Sequence, residues 1–233
     1  MNNTLNTSFE TDFNKALNMC EQNYSYEKLM ILLSSEEILE KQAAALRLQE
    51  IKSYKDALIL ASNLAGQNGK VREVVAFKIN ELIQKENYRK FFISEQIFEK
   101  FFEGLTDING NVCRYIIEGC LGIQEFKKYL CNRLPEQIFK ILKQIKVSNA
   151  DEKQYKISKR NFQLYWCLET LYFCVEDIDL GKLKEIVIKT AEFEDYTIRE
   201  KTAKILTKIS SPEFDIIKEK LKNDENYYVK RFL

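Results

Sequence analysis

The sequence predicts an all-α fold built from repeated helical hairpins. Only 2 prolines and 7 glycines occur among 233 residues, so little interrupts the long stretches of Lys, Glu, Leu, Ile and Ala, which favour helix. Apolar residues recur three and four positions apart, as in GKVREVVAFKINELI (69–83), and this spacing forms a stripe along one helix face. Near-copies of the stripe return down the chain, which indicates a repeat.

The repeat becomes visible when helices are aligned on Val71. Apolar residues follow that start at five, eight and eleven positions, as Ala76, Ile79 and Leu82. The second helices of the hairpins are predicted to start near residues 40, 71, 112, 157, 198 and 229, which lie 31 to 45 residues apart. The other stripes are Ala45, Leu48 and Ile51; Ile117, Cys120 and Ile123; Phe162, Tyr165 and Leu168; and Ala203, Leu206 and Ile209.

Two further positions recur around each start. Three residues before it stand Asn68, Asn109, Gln154, Asp195 and Asn226, and four of these five are good helix N-caps. One residue after it a basic side chain recurs, as Arg72, Arg199 and Lys230. We expect this base to bridge an Asp or Asn of its own or a neighbouring turn, and thereby to fix the register between repeats.

Each interval holds a preceding first helix. These helices are predicted within 53–66, 94–105, 135–147, 181–193 and 211–223. Ser94 is the expected cap of the second, Pro135 is the expected first-turn residue of the third, and Ser211 and Pro212 open the last. Capping helices are expected within 11–22 and 25–33. Residues 10–233 then form one repeat domain, after a polar and frayed stretch at 1–9.

The copies DYTIREKTAKILTKI (195–209) and NGKVREVVAFKINELI (68–83) resemble the second helix of HEAT repeats. That motif places an Asp or Asn, then Val-Arg, then small and apolar residues. The period of about 40 residues agrees with this family. The resemblance spans about 34–233 and is poor within 124–165. It implies a right-handed α-solenoid of about five to six HEAT-like hairpins, whose second helices line a concave face.

Composition argues against several large classes of enzyme. Histidine is absent, which removes His metal sites and the usual general base. No CxxC pair occurs, so a cysteine zinc site is not indicated. The segment GQNG (66–69) lacks the lysine spacing of a Walker phosphate-binding loop and the strand that precedes one. We therefore expect no catalytic residue, no metal site and no cofactor. The acidic cluster of Glu176, Asp177 and Asp179 could bind a cation or act as acid and base, but a turn opening the next helix is the simpler interpretation.

The expected environment is the cytoplasm. No stretch approaches 18 apolar residues, so no membrane span is predicted. The start lacks a basic region followed by an apolar run, so no secretory signal is predicted. The 6 cysteines are then expected to be reduced and mostly buried, with Cys113/Cys120 and Cys167/Cys174 each on one helix face.

The resemblance implies that binding takes place on the outward side of the second helices. The expected stripe is Glu73, Phe77, Asn80, Arg114, Glu118, Lys159, Gln163, Trp166, Glu200 and Lys204. Its mixture of both charges with aromatic residues suits a protein surface better than a phosphate track. The sequence therefore predicts a non-enzymatic scaffold that binds a protein or peptide, with its oligomeric state left open.

Nucleic acid is the alternative partner. The segment 156–174 is rich in aromatic residues and follows a basic run, a combination that can stack bases, although core packing is the simpler interpretation. Alkylpurine DNA glycosylases are HEAT-like proteins of similar length, with a strongly basic channel and several tryptophans. This chain has one tryptophan, Trp166, and a net charge of +1, and none of the catalytic residues of that family can be placed on it. It is also similar to HEAT-like bilin lyases, without an identifiable bilin site.

Overall fold

The computed structural model describes residues 14, 15, 17–19, 21–66, 68–147 and 154–233, without the side chains of 146, 147 and 154–157. The polar stretch 1–9, Cys20 and the side chains of Gln154 and Ile157 therefore lie outside the described residues. All regular structure in the described part is helical, which confirms the all-α fold class. No described helix is both long and apolar enough to cross a bilayer.

The helices belong to two compact units. The first contains residues up to Gly104 together with Arg114–Cys120, and the second contains Leu105–Cys113 together with Leu121–Leu233. The helices of the first half are α1 (Tyr26–Leu33), α2 (Ile38–Arg47), α3 (Tyr54–Ser62), α4 (Gly69–Ile83), α5 (Glu86–Arg89), α6 (Glu95–Leu105) and α7 (Gly110–Cys120). Short 3-10 turns follow α3 at Asn63–Ala65 and α5 at Lys90–Phe92.

The described residues of the second half form six α-helices. They are α8 (Gln124–Val147), α9 (Gln154–Cys174), α10 (Leu180–Ala191), α11 (Tyr196–Leu206), α12 (Asp215–Lys222) and α13 (Tyr227–Lys230). Two 3-10 turns lie at Val175–Asp177 and Pro212–Phe214. The predicted helix 211–223 therefore begins as a 3-10 turn, and its α-helical part starts only at Asp215.

Within each unit the helices pack in hairpin pairs. In the first unit α1 packs on α2 and α3 on α4, while α1 also contacts α3 and α2 contacts α4. In the second unit the pairs are α8/α9, α10/α11 and α12/α13. Here α8, α10 and α12 contact one another in succession and form a first-helix row, while α9, α11 and α13 form a second-helix row. We use these two names below for the second unit only.

Polar caps fix where the helices begin. The side chain of Asn68 accepts hydrogen bonds from the amides of Lys70 and Val71 at 3.0 and 3.2 Å. The other caps, each accepting from an amide in the first turn that follows, are Ser25, Ser53, Ser94, Asn109, Asp179, Asp195 and Asn226. The caps predicted at Asn68, Asn109, Asp195 and Asn226 are thus confirmed.

The buried stripe of α4 agrees with the prediction. Val71, Ala76, Ile79 and Leu82 are all buried. In α2, α7 and α11 the last stripe residue is also buried but lies beyond the end of the helix, as Ile51, Ile123 and Ile209. These three residues pack from the connecting segments, so the stripe is longer than the helix that carries it.

The predicted stripe of α9 is wrong. Phe162 and Tyr165 are only half-buried, whereas Leu164, Cys167, Leu168 and Leu171 form the buried face. The alignment counted large aromatic side chains as core, but a tyrosine places its ring on apolar neighbours and its hydroxyl at the surface. The true core face is therefore rotated relative to the predicted one.

The predicted start of a helix at Pro135 is also wrong. Pro135 lies inside the 24-residue helix α8. A proline there forfeits one backbone hydrogen bond and crowds the preceding turn. Buried apolar residues continue the stripe on both sides, at Phe126, Leu130, Leu134, Ile138, Ile141 and Ile145. Because this stripe is unbroken, its burial holds the helix together through the proline.

Three fully buried threonines lie in α9, α10 and α11. Thr170, Thr190 and Thr202 each donate their hydroxyl to the carbonyl four residues earlier in the same helix, at 2.9 Å in every case. Each buried hydroxyl is thus satisfied within its own helix.

Candidate binding surface

A cluster of lysine and aromatic side chains lies where α9 and α11 pack together in the second-helix row. We call it the lysine–aromatic cluster, and it comprises Tyr165, Glu169, Tyr172 and Phe173 of α9, Lys201 and Lys204 of α11, and Lys208, which lies two residues beyond the end of α11. Tyr165, Glu169 and Tyr172 are three or four residues apart and lie on one face of α9, and Lys201 and Lys204 are three apart on α11. Phe173 and Lys208 are exposed, and the other five are partly buried.

The aromatic rings lie beneath the ammonium groups. The Lys201 ammonium is 4.4 Å from the centre of the Tyr165 ring. Lys204 and Lys208 lie 4.4 and 4.3 Å from the centre of the Tyr172 ring, and both are 5.9 Å from that of Phe173. Such cation–π contacts stabilise the lysines while their charge remains available at the surface.

Glu169 is the acidic member of the cluster. Its two carboxylate oxygens contact Lys201 at 2.7 Å and Lys204 at 2.8 Å. Burial works to raise the pKa of Glu169, but the two ammonium groups outweigh burial and lower it below its usual range. Burial likewise works to lower the pKa of Lys201, but its partners Glu169 and Tyr165 raise it instead. Glu169 and Lys201 are therefore both charged at neutral pH.

The cluster carries more positive than negative charge. It contains three ammonium groups and one carboxylate: Lys201 and Lys204 pair with Glu169, and within the described residues Lys208 forms no ion pair. Further along the row, Glu200 of α11 pairs with Arg231 at 2.8 Å, so it adds no free negative charge. Arg231 lies 5.1 Å from the Tyr228 ring, and Tyr228 stacks with Tyr196 at 6.3 Å. The aromatic and basic character thus continues toward α13.

The first unit has a smaller surface of similar kind on α4 and α7. Phe77 is 41% exposed, and its ring meets that of Tyr115 edge-on at 5.5 Å. Arg114 lies 5.4 Å from the Tyr115 ring. Asn80 approaches Glu118 at 3.4 Å. These contacts bring four residues of the expected stripe, Phe77, Asn80, Arg114 and Glu118, onto one surface.

Gly119 allows the close approach of α7 to α4. A Cβ atom at Gly119 would lie 2.9 Å from the Cα of Asn80 and 3.0 Å from its side-chain oxygen. Such distances are shorter than van der Waals contact, so a residue larger than glycine would separate the two backbones. Glycine at this position therefore sets the spacing of the surface that bears Phe77 and Asn80.

The remaining predicted stripe residues take different places. Glu73 and Glu200 are half-exposed, and Lys204 lies in the lysine–aromatic cluster. On α9, Lys159 is exposed, while Gln163 donates to the backbone carbonyl of Thr106 at 2.7 Å. Gln163 therefore helps to hold the second unit together.

Trp166 is engaged in packing. Its ring meets those of Phe162 and Tyr165 edge-on, at 6.1 and 5.4 Å. It also covers Gly110, where a Cβ atom would lie 3.4 Å from the indole and 3.2 Å from Phe162. The simpler interpretation of this aromatic segment, packing at the edge of the core, agrees with these contacts.

Sequence reasoning missed most of the cluster. The periodicity names Lys204 but not Lys201, Lys208, Glu169, Tyr172 or Phe173, and it places Tyr165 in the core stripe. The spacing of Lys201, Lys204 and Lys208 on one helix face was the available signal. The sequence could not show that these lysines face the aromatic residues of α9. The lysines and the aromatic residues lie some 35 residues apart, and the register predicted for α9 was wrong.

The repeated basic position has a shared geometry in α4 and α11. Arg72 donates to the carbonyl of Gly66 at 2.7 Å, and Arg199 donates to that of Phe193 at 2.8 Å, six residues back in both cases. Arg199 also binds both carboxylate oxygens of Asp224, at 2.7 and 3.1 Å. Asp224 lies two residues before the cap of α13, so this pair joins consecutive hairpins, as predicted for this position.

The acidic cluster after α9 is structural in the described residues. Asp179 caps α10 through the amide of Lys182 at 2.9 Å, and Asp177 forms an ion pair with Lys127 of α8 at 2.7 Å. A polar cleft of about 340 Å³ lies beside this pair, lined by Gln124, Lys127, Lys128, Cys131, Asn132 and Asp177. Among the described side chains, no three His, Cys, Asp or Glu residues form a group that could hold a metal ion.

The described cysteines are free, and four of the five are buried. Burial raises the pKa of the Cys167 and Cys174 thiols to about 12 and raises that of Cys120 as well. Thiols with raised pKa values are poor nucleophiles because the thiolate is the reactive form. Their packing in the core agrees with the prediction for these residues.

The lysine–aromatic cluster of the second unit and the surface on α4 and α7 of the first unit are therefore two separate candidate surfaces. No protein-family model matches this chain, and no curated protein matches it either.

Proposed function

We propose that this chain is a non-enzymatic scaffold of the HEAT-like α-solenoid kind, which binds a protein or peptide along the outward side of its second helices. The arrangement of helices supports it, because hairpin pairs and rows of like helices recur within each unit. Stacked helical hairpins bury a continuous core and leave a long surface for partners. About five to six hairpins would form the array, with the second helices on its concave side.

The lysine–aromatic cluster is the observation that carries this proposal. Half-exposed tyrosines anchor partners at protein interfaces, since they offer a large contact area at a low entropy cost. Charged groups around them guide and orient the partner. A solvated surface without a partner does not require exposed rings such as Phe173, which is 40% exposed, and Phe77.

The proposed function is tested by site-specific photo-crosslinking in cells. A photoreactive phenylalanine analogue replaces Phe173 in the cluster and, separately, Phe77 on α4. The matched control is Phe139 on α8, a half-buried phenylalanine in the first-helix row that also has a lysine, Lys189, 5.0 Å from its ring. We expect discrete protein adducts at Phe173 and Phe77, and none at Phe139.

Adduct patterns that are the same at all three positions, or absent from all of them, would contradict the proposal. Adducts that contain nucleic acid in place of protein would favour the alternative, a HEAT-like protein that binds DNA. The geometry gives that alternative less support, because Trp166 is packed against Gly110 and is not presented for base stacking.

A further inference from the structure

We infer that the lysine–aromatic cluster binds an extended, carboxylate-rich peptide segment, whose acidic side chains at alternate positions pair with Lys204 and Lys208. This inference rests on the proposed function and specifies the partner. The charge of the cluster, the spacing of its lysines and the contacts of its rings support this inference.

The excess of positive charge defines the kind of partner. Glu169 already divides its carboxylate between Lys201 and Lys204, whereas among the described residues Lys208 approaches only the rings of Tyr172 and Phe173, at 4.3 and 5.9 Å. With three ammonium groups and one carboxylate, the cluster has two positive charges that no carboxylate of its own neutralises. Two carboxylates from a partner would neutralise them and replace hydration by direct pairs.

The spacing favours an extended segment. Lys204 lies in α11 and Lys208 lies two residues beyond its end. Their ammonium groups are 4.4 and 4.3 Å from the centre of the same Tyr172 ring, so they can be no farther apart than those two distances together. Side chains at alternate positions of an extended strand lie on one face and are roughly 7 Å apart. A strand with acidic residues at every second position thus matches the two lysines. The exposed edge of Phe173 lies beside them and can receive an apolar neighbour.

The ring contacts argue against nucleic acid as the partner. Single-stranded nucleic acids bind by stacking bases on free aromatic faces. The Tyr172 ring is already engaged by two ammonium groups, and the Tyr165 ring by Lys201. The cluster also contains no arginine, whose forked guanidinium binds phosphate in a bidentate manner.

The test measures fluorescence anisotropy of a labelled peptide of alternating Glu and Ser, at low ionic strength, with the full chain. The comparison probes are the Gln-Ser peptide and labelled oligothymidine. We expect the Glu-Ser peptide to bind, the Gln-Ser peptide to fail, and added salt to weaken binding, because exposed ion pairs are screened.

Variants locate the peptide on the chain. Lys208→Glu should weaken binding roughly tenfold, since it replaces an attraction by a repulsion of similar size. Lys182→Glu is the matched control. It makes the same change in net charge at an exposed lysine of α10, in the first-helix row, and should alter binding less than about twofold. Glu169→Gln should have the opposite sign and tighten binding, because it releases Lys201 and Lys204.

Circular dichroism at the assay temperature verifies that each variant is folded before its binding is compared. The inference is wrong if the Glu-Ser peptide does not bind, if Lys182→Glu weakens it as much as Lys208→Glu, or if oligothymidine binds more tightly. Protein adducts at Phe173 alongside any of these results would leave the proposed function standing and remove only the acidic partner. If neither protein adducts at Phe173 nor binding of the Glu-Ser peptide is observed, both the proposed function and the acidic partner are excluded.

Discussion

Glu169 shows how one side chain links stability to binding. Its side chain is 16% exposed, and that of its partner Lys201 is 12% exposed, so the pair is largely withdrawn from water. Removing one member of such a pair leaves the other charge poorly compensated, and this loss exceeds the net value of the pair. The carboxylate therefore holds α9 and α11 together while it reduces the charge that the cluster can offer.

We expect Glu169→Gln to lower the free energy of unfolding by about 2 kcal/mol, less than for a fully buried pair because Lys204 is partly solvated. Urea titration followed by circular dichroism measures this. The control is Glu213→Gln, which removes an exposed partner of Lys184 and should change stability by less than about 0.5 kcal/mol. Equal effects of the two substitutions would show that the Glu169 pair contributes no more than a surface contact.

Gly119 and Gly122 give a second contrast at the scale of one residue. In Gly119→Ala the new methyl group would meet the Asn80 backbone at 2.9 Å, whereas around Gly122 nothing lies within 4 Å of such a group. No described glycine has positive φ, so alanine is compatible with the backbone at both positions. We expect a loss of about 1–2 kcal/mol at Gly119 from overpacking, and a gain of about 0.5 kcal/mol at Gly122 from a less flexible unfolded chain. Thermal unfolding of the two variants measures both, and stabilisation by Gly119→Ala would show that α7 and α4 can separate at little cost.

Among the elements, the connection between α11 and α13 depends most visibly on charge. Asp224 is mostly buried, accepts two hydrogen bonds from Arg199, and accepts the amide of Asn226 at 2.8 Å. The guanidinium of Arg199 holds the pKa of Asp224 below its usual value of 3.8, and the Asn226 amide lowers it further. One carboxylate thus fixes both the neighbouring hairpin and the start of α13.

We expect Asp224→Asn to lower the free energy of unfolding by about 2 kcal/mol at neutral pH. The pKa of Asp224 is lower in the folded state than in the unfolded state, so its contribution is complete above pH 3.8 and disappears as the pH falls through the lowered folded value. The difference between wild type and variant should therefore shrink with acidification. Denaturant titrations at a series of pH values measure it, and a difference independent of pH would contradict the assignment.

The element scale also shows what sequence can predict. The caps and the stripe of α4 followed from residue type and spacing alone, because both are local. The register of α9 did not, because Phe162 and Tyr165 have apolar rings that can lie in a core or at its edge. The continuation of α8 through Pro135 depended on contacts with other helices. The burial of Lys78 also depends on contacts with other helices and was not predictable from the sequence. Its side chain is 3% exposed, and its ammonium group pairs with Glu81 at 2.7 Å.

The candidate surface was predictable only in part. The outward positions of α4 and α7 were named from periodicity, and the structure brings Phe77, Asn80, Arg114 and Glu118 together. The lysine–aromatic cluster combines residues from two helices whose relative rotation is set by packing. A single sequence contains the spacing within each helix but not the rotation between helices, so the pairing of Tyr172 with Lys204 and Lys208 required the structure.

At the scale of the whole molecule, the contacts within each unit join a helix mainly to the next one or two along the chain. Stability in such an arrangement is close to a sum of local contributions. A local defect should then loosen its neighbours and leave more distant helices of the same unit intact.

Val229→Ala tests this property, because Val229 is fully buried and anchors α13. We expect hydrogen exchange, followed by mass spectrometry, to accelerate in α13 and in the contacting helix α11. Exchange in α8, at the other end of the same unit, should be unchanged. Acceleration of the same size in α8 would show that the unit unfolds as one cooperative body and would contradict a repeat-like organisation.

The buried threonines of α9, α10 and α11 have a mechanical consequence. Because each hydroxyl bonds within its own helix, the surfaces that these residues present to neighbouring helices are apolar, and apolar contact has no preferred direction. Polar pairs such as Arg199 with Asp224 join successive hairpins and act as tethers. Under a pulling force, the helices of the second unit should therefore slide past one another and return to their places while these polar pairs remain intact. They should separate only once the pairs break.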